Sequence, residues 1–301
     1  MINLILAIGF SASIGLIFKI TEKNQCNRYM VTCANYLTAT LVSFLMLKNK
    51  TLFNSQWIRG FKEEFKLSMA NRQGLSIEGS LGLAVVLGII TGVIYLGGIV
   101  LYQKNVKDNG ASLSATFMKL GIIIPIVLSI LFFGEYPKAV AWIGIALSII
   151  AVVIMNLDLK ELSLKNVKVS LIVLMLIGGI GDFNSKFFQY YGQAEHKELF
   201  LFYIFFTALI LSFIIFIVNK GRIRLLDFIM GIIVGIPNML TSFFLIKALE
   251  NIPGPIAFSS FSAGTIIIMA LGAFAMFKEK LEKKEYVALA IIVMALILVN
   301  I

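Results

Sequence analysis

The sequence predicts an all-α, polytopic membrane protein in which ten transmembrane helices form two inverted repeats of five helices each. Three observations predict this fold: the composition, the number of long apolar runs, and a resemblance between the two halves of the chain. Of the 301 residues, 59% are hydrophobic and 14% are charged, whereas about 25% of residues are charged in a typical soluble domain. So few charges cannot cover a water-facing surface, and the composition therefore excludes a soluble enzyme.

Ten apolar runs are long enough to cross a bilayer. A helix needs about 20 mostly apolar residues to span roughly 30 Å of hydrocarbon. Because backbone amides in hydrocarbon must be paired within their own segment, runs of this length favour helices over barrel strands. The predicted spans cover residues 2–19, 29–47, 81–103, 112–133, 139–157, 168–189, 199–218, 226–249, 255–277 and 285–301. Most connections are short, so consecutive helices are expected to be antiparallel neighbours.

The connection formed by residues 48–80 is the long exception. Within it, an apolar residue recurs every four positions from Trp57 to Met69, while charged residues fill the other face. This pattern is typical of an amphipathic helix that lies in the headgroup layer. A plain solvated loop is the alternative, and the sequence leaves both open.

The two halves of the chain resemble each other. Residues 132–156 match residues 276–300 at a constant offset of 144, and the segment that starts at Gly88 matches the one at Gly231 at an offset of 143. We therefore expect two repeats, residues 1–157 and 168–301. Since each half has five spans, an odd number, the second half must enter the membrane from the opposite side. Inverted repeats build alternating access in many carriers, with the site near mid-membrane where the halves meet.

The end of the first half carries a recognisable motif. A small-residue helix with a central Pro125 is followed by a Gly134-Glu135 turn and by a helix that contains Trp142 and Gly144. Residues 111–155 are thereby similar to the end of an EamA-type repeat of the drug/metabolite transporter superfamily. The resemblance implies a ten-helix secondary carrier of small metabolites, often amino acids or drugs, in a bacterial plasma membrane and without a bound cofactor.

The second half departs from this motif. It has Phe277-Lys278-Glu279 in place of Phe-Gly-Glu, and no proline lies opposite Pro125. Glu135 and Glu279 both close the turn before the last helix of their half, and we expect them to be caps at the membrane interface.

Two ionisable residues lie deep in predicted spans. Because a charge in hydrocarbon costs about 2.5–3.5 kcal/mol, each is a candidate site residue. Lys119 lies seven residues into the fourth span, and Asp182 about two-thirds of the way through the sixth. Their depths differ by about 10 Å, which argues against a direct bridge and suits a small zwitterion with its carboxylate at Lys119 and its ammonium at Asp182. A local pair between Asp182 and Lys186, or a coupling proton on Asp182, are the alternatives.

The uncharged candidates for substrate binding are amides, an aromatic residue and hydroxyl groups. Asn35 and Asn238 lie at mid-span, where an amide needs a neighbour, a water or a ligand. Pro237 is expected to interrupt the eighth span beside Asn238. Tyr95, Thr116 and Ser260 complete the set, although such side chains more commonly bond their own backbone or pack between helices.

The remaining composition narrows the function. The single histidine, His196, lies in a polar stretch, and Cys26 and Cys33 are seven residues apart, so no metal site or nucleophile–base constellation is expected. The absence of a phosphate-binding loop excludes ATP coupling in this chain. The net charge of +10 is expected to face anionic lipid headgroups and not nucleic acid.

We therefore expect a secondary active transporter that exports a small metabolite, such as an amino acid or a related zwitterion or anion, by alternating access. A multidrug or cationic-compound exporter of the same superfamily is the alternative. The expected partners are the small-molecule substrate, membrane lipids and coupling protons, with no nucleic acid, no cofactor, no metal and no required oligomer.

Two arguments about orientation disagree. Ten spans place both termini on one side, where eight basic residues lie near helix ends or in loops, against fifteen on the other side. The positive-inside rule then places the termini outside, whereas the family resemblance implies termini inside.

Overall fold

The computed structural model describes residues 1–48, 55–156, 168–219, 223–278 and 282–301. All regular structure in these residues is helical, and no strand occurs among them. The helices are α1 (Ile2–Lys23), α2 (Arg28–Met46), α3 (Ser55–Asn71), α4 (Ile77–Asn109), α5 (Ala111–Leu120), α6 (Ile123–Phe133), α7 (Ala139–Asn156), α8 (Val169–Tyr191), α9 (Lys197–Val218), α10 (Leu225–Leu249), α11 (Gly254–Phe277) and α12 (Lys283–Val299). A 3-10 turn, Ala194–His196, precedes α9.

Each predicted span coincides with helix in the structure. Eight helical segments of the described chain are long and apolar enough to cross a bilayer, with α5 and α6 together forming one of them. The apolar stretch of α7, Ala139–Met155, is shorter, and α12 has 17 residues. The all-α, multi-pass class is therefore confirmed, and the count of ten spans stays a prediction.

The fourth predicted span is interrupted at Gly121 and Ile122, between α5 and α6. Pro125 has no N–H with which to bond the carbonyl of Gly121, as the next helical turn would require. The N–H of Ile124 donates to that carbonyl instead, at 2.9 Å. This tighter turn breaks the regular helix beside Lys119.

The interruption expected at Pro237 is wrong. Helix α10 runs unbroken from Leu225 to Leu249 with Pro237 inside it. Transmembrane helices tolerate an internal proline because neighbouring groups compensate for the lost backbone hydrogen bond. A proline alone therefore does not decide where a helix breaks.

The long connection contains a helix, α3, as the first of the two alternatives predicts, and its location in the headgroup layer stays a prediction. Its apolar face packs antiparallel against the start of α4, where Trp57 and Phe61 contact the backbone at Gly82. The carboxylate of Glu64 accepts from the hydroxyl of Ser76, at 2.9 Å, just before α4 begins. The Phe65 ring lies 6.0 Å from that of Phe187 in α8. The apolar face of α3 is therefore covered in part by the protein itself.

The chain divides into two compact units. The first unit consists of Met1–Ala12, Gly97–Phe183 and Asn251–Ile301, and the second of Ser13–Leu96 and Asn184–Glu250. Each unit takes segments from both halves of the sequence, and α1, α4 and α8 each contribute to both. The expected division at residues 1–157 and 168–301 is a division by repeat, which differs from this division by contact and stays a prediction.

Within the second unit, two pairs of glycines let helices approach closely. A Cβ on Gly92 of α4 would lie 2.5 Å from the carbonyl oxygen of Ile204 in α9. A Cβ on Gly235 of α10 would lie 2.6 Å from the carbonyl oxygen of Asn35 in α2. Gly92 and Gly235 are related by the repeat offset of 143. The same offset relates Gly88 to Gly231, which make the neighbouring contacts on α9 and α2.

Within the first unit, equivalent helices end at equivalent places. Helices α6 and α11 end at Phe133 and Phe277, which are related by the offset of 144. Each end is followed by a residue in the left-handed region: Gly134 with φ of +66° and Lys278 with φ of +54°. Glycine takes this conformation without strain, whereas lysine rarely does. Helices α7 and α12 then pack together, with Gly144 against Val299.

Candidate functional site

A cavity of about 330 Å³ lies within the first unit. Its walls come from α1, α4, α5, α8 and α11 and from the interruption after α5. Two charged residues line it, Lys119 and Asp182. The uncharged polar lining consists of Ser11, Tyr102, Ser262 and Thr265, and the apolar lining of Ala115, Met118, Ile122, Phe258 and Phe261.

Lys119 lies in the last turn of α5. The interruption at Gly121 follows directly, so the ammonium group is next to the negative end of a helix dipole, which favours a cation. Among the described residues, the Lys119 side chain has no hydrogen-bond or ion-pair partner. The amino group of Lys119 is thereby presented to the cavity.

Asp182 reaches the same cavity from α8. The approach of α8 is close because Gly179 packs directly on the carbonyl of Gly121, a contact that only glycine permits. In the described part of the chain, Asp182 has neither a hydrogen bond nor an ion pair. Lys186 of the same helix donates to the side-chain oxygen of Gln189, at 2.8 Å, so the structure does not favour the alternative of a local Asp182–Lys186 pair.

Two further sequence candidates lie in the first unit without lining the cavity. Thr116 is fully buried in α5. Ser260 is buried in α11 and accepts a hydrogen bond from the side-chain amide of Asn300, at 3.3 Å. Each of them directly neighbours a cavity residue in the sequence, and their role in binding stays a prediction.

The other three candidates lie in the second unit. The amide of Asn238 donates to the side-chain oxygen of Asn35, at 3.1 Å. Each amide thus supplies the neighbour that the other needs at mid-span. Tyr95 lies on α4, half-buried. For these residues too, a role in substrate binding stays a prediction.

Sequence reasoning missed Ser11 and Ser262 as cavity residues. Their hydroxyl groups make no hydrogen bond to any other described residue, whereas that of Thr265 donates to the carbonyl of Phe261, at 2.7 Å. A serine in a membrane helix commonly bonds its own backbone. The signal available in the sequence was the repeat, because the offset of 143 relates Ser262 to Lys119.

The motif glutamate Glu135 has a structural role at one end of this unit. Its carboxylate accepts from the backbone N–H of Gly254, the first residue of α11, at 2.6 Å. Glu135 is therefore a helix cap, but of α11 and not of the last helix of its own half; its position at the membrane interface stays a prediction, and Glu279 lies outside the described residues. The cap positions α11, which carries Phe258, Phe261 and Ser262 to the cavity.

Comparison with known proteins identifies relatives along the chain. The profile of the family described as "EamA-like transporter family" matches residues 1–157. A protein of Haemophilus influenzae, described as uncharacterized, is 25% identical over 293 residues, which cover 95% of this chain and 93% of that protein. A solved crystal structure matches with a TM-score of 0.71 at 13% identity, covering 99% of this chain and 96% of the other, which shows the fold alone.

Proposed function

This chain belongs to the EamA-like transporter family, and from that membership we propose that it is a secondary active transporter that exports a small metabolite by alternating access. Membership makes it a transporter of the drug/metabolite transporter superfamily and an integral, multi-pass membrane protein. The family is one of transporters and not of enzymes. The bacterial plasma membrane is the proposed location.

The observation that carries the proposal is the cavity with one cation and one anion on its walls. Each charge costs about 2.5–3.5 kcal/mol at membrane depth, and neither Lys119 nor Asp182 is paired with another described residue. A solute that carries a carboxylate and an ammonium group can neutralise both at once. We therefore propose an amino acid or a related zwitterion as the substrate, with an anion that uses Lys119 as the next choice.

The multidrug alternative has some support in Phe258, Phe261 and Asp182, since an aromatic wall and an acidic group suit a cationic drug. Two features oppose it. Lys119 would repel a cation in the same cavity. The volume of about 330 Å³ is near the lower end of the roughly 300–1,000 Å³ typical of ligand pockets, which favours a small solute.

Ten spans in two inverted five-helix repeats, residues 1–157 and 168–301, are the architecture that we propose for this transport. Helices α6 and α11 end at equivalent positions of the repeat, Phe133 and Phe277, which supports this architecture. The equivalent glycine contacts of α4 and α10 support it as well. In this arrangement a solute in the cavity contacts residues from both halves of the sequence. Coupling protons on Asp182, exchange for a second solute, and uncoupled movement are the possible driving forces.

A transport assay with reconstituted protein tests the proposal. Proteoliposomes are screened with radiolabelled amino acids and with cationic drugs, with and without a pH gradient. We expect uptake of amino acids by the wild-type protein, and a loss of about tenfold or more in Lys119→Ala and in Asp182→Asn, because a hydrogen bond to a charged group contributes about 1.5–3 kcal/mol.

Lys104→Ala and Asp108→Asn are the matched controls, because both side chains are exposed at the end of α4. Both controls are expected to retain wild-type uptake. Full transport by Lys119→Ala, or transport of cationic drugs alone, would refute the proposed substrate class.

A further inference from the structure

The lining of the cavity repeats along the sequence. Residues from α5 and its interruption face residues of α11 that lie 143 positions later in the chain. Three such pairs are Met118 with Phe261, Lys119 with Ser262, and Ile122 with Thr265. Ala115 and Phe258 have the same spacing. The residues just before α5 and α11, Gly110 and Pro253, are related by this offset as well, so the register holds from the start of both helices through the cavity.

The contacts with α1 and α8 repeat in the same way. Gly121 packs on Gly179 of α8, and Gly264 packs on Ile8 of α1. The offset of 143 relates Gly121 to Gly264, and each of these glycines packs on the helix that carries one further polar residue of the cavity. Asp182 lies three residues after Gly179 on α8, Ser11 lies three residues after Ile8 on α1, and both line the cavity.

The polar lining therefore contains two equivalent pairs, each with one charged and one hydroxyl member. The repeat offset relates Lys119 to Ser262, and the common position after a glycine contact relates Asp182 to Ser11. The hydroxyl groups of Ser11 and Ser262 are without a hydrogen bond to any described residue, although the chain provides backbone carbonyls that a serine can use. A hydroxyl group both donates and accepts, so it can serve a carboxylate or an ammonium group.

We infer that Ser11 and Ser262 are further, unassigned ligands of the substrate, and that the two charged and two serine side chains of the cavity form a pseudo-twofold arrangement in which one member of each pair is charged. The inference rests on the proposed function, and it deepens that function by naming further ligands of the solute. Because the two members of a pair occupy equivalent places, moving both charges to their counterparts rebuilds the same constellation, rotated by half a turn.

The first test needs no substrate. Cys26 and Cys33 are replaced by serine, and single cysteines are introduced as Ser11→Cys and Ser262→Cys. Reaction rates are measured with a cationic and with an anionic water-soluble methanethiosulfonate. We expect Lys119→Ser to lower the reaction rate of the anionic reagent with the cysteine at residue 262 by about threefold or more. We expect Asp182→Ser to lower the rate of the cationic reagent with the cysteine at residue 11 by a similar factor. The reason is that each charge attracts the reagent of opposite sign. The inference would be overturned if the thiols did not react, or if the reaction rates were the same with and without Lys119 and Asp182.

The second test exchanges the charges. Uptake of a mixture of radiolabelled neutral amino acids is compared in the wild type, in K119S/D182S, and in the fourfold variant S11D/K119S/D182S/S262K. We expect K119S/D182S to lose about tenfold or more and the fourfold variant to recover to within about tenfold of the wild type. The matched control is S11D/K119S/D182S/T265K, in which the lysine stands at the counterpart of Ile122 and recovery is not expected.

The two tests separate the possible failures. Equal uptake by the fourfold variant and its control would overturn the inference while leaving the proposed function intact. A wild-type protein that takes up no amino acid would refute the proposed substrate, and the thiol reaction rates would still decide whether Ser11 and Ser262 share the cavity with the two charges. Gel-filtration profiles of all variants distinguish a misfolded variant from an inactive one.

Discussion

At the scale of single residues, Glu135 joins parts of the chain that are far apart in sequence. Its carboxylate caps the N-terminus of α11 at Gly254, where any side chain on residue 254 would collide with the hydroxyl of Ser129. We expect Glu135→Ala to lower the free energy of unfolding by about 0.5–2 kcal/mol, the usual cost of losing a helix cap. Unfolding in mixed micelles measures this, and Glu63→Ala on the exposed face of α3 serves as the control with little expected change.

The second single-residue prediction concerns the hydrogen bond between the side chains of Asn35 and Asn238. The Asn238 amide donates to Asn35, and Asn35 is almost fully buried. Asn35→Ala leaves that donor without its partner, so we expect a loss of about 1–3 kcal/mol in unfolding free energy. The double variant Asn35→Ala/Asn238→Ala should cost less than the sum of the single variants, because both ends of one hydrogen bond are removed. Strict additivity would show that the pair contributes nothing to stability.

At the scale of helices, two glycines of α4 differ in how closely another helix packs on them. A Cβ on Gly92 would lie 2.5 Å from the backbone of Ile204, whereas a Cβ on Gly97 would meet nothing within 4 Å. We expect Gly92→Ala to cost about 1–3 kcal/mol, since α9 must move away. In the same helix, Gly97→Ala is expected to stabilise by up to about 1 kcal/mol through helix propensity. Thermal unfolding of both variants measures the difference, and equal effects would contradict the close packing of α4 on α9.

At the scale of the whole molecule, side-specific labelling decides whether the short helix α7 crosses the bilayer. In a background without Cys26 and Cys33, single cysteines are placed as Glu63→Cys, Asp108→Cys and Lys283→Cys, all at exposed positions. Because α4 alone separates the first two, we expect a membrane-impermeant maleimide to label them from opposite sides. With ten spans, Lys283→Cys labels from the side of Asp108→Cys.

The same experiment has a clear contrary outcome. If α7 did not cross the bilayer, Lys283→Cys would label from the side of Glu63→Cys, and the two-repeat proposal would fail. Performed on intact cells, the labelling also decides between the charge bias, which places the termini outside, and the family resemblance, which implies termini inside.

The amino-acid sequence was enough to place this protein among the all-helical membrane proteins and in a transporter family. Run length and apolar content are local properties, and the Pro125 and Gly134-Glu135 motif is contiguous. It also identified Lys119 and Asp182, because the cost of a charge depends on its depth in a span. The sequence did not show that Asn35 and Asn238 lie apart from Lys119 and Asp182. It also predicted a helix break at Pro237 and none at Gly121.

The packing of the helices, in contrast, shows which of the candidate residues lie together. Lys119 and Asp182 share a cavity because α8 packs on α5 and α6 through Gly121 and Gly179, whereas Asn35 and Asn238 bond each other because α10 packs on α2. Which helix faces which, and which polar group is left without a partner, depends on contacts between segments that are distant in the chain. Those contacts have no signature in the apolar pattern of any one helix.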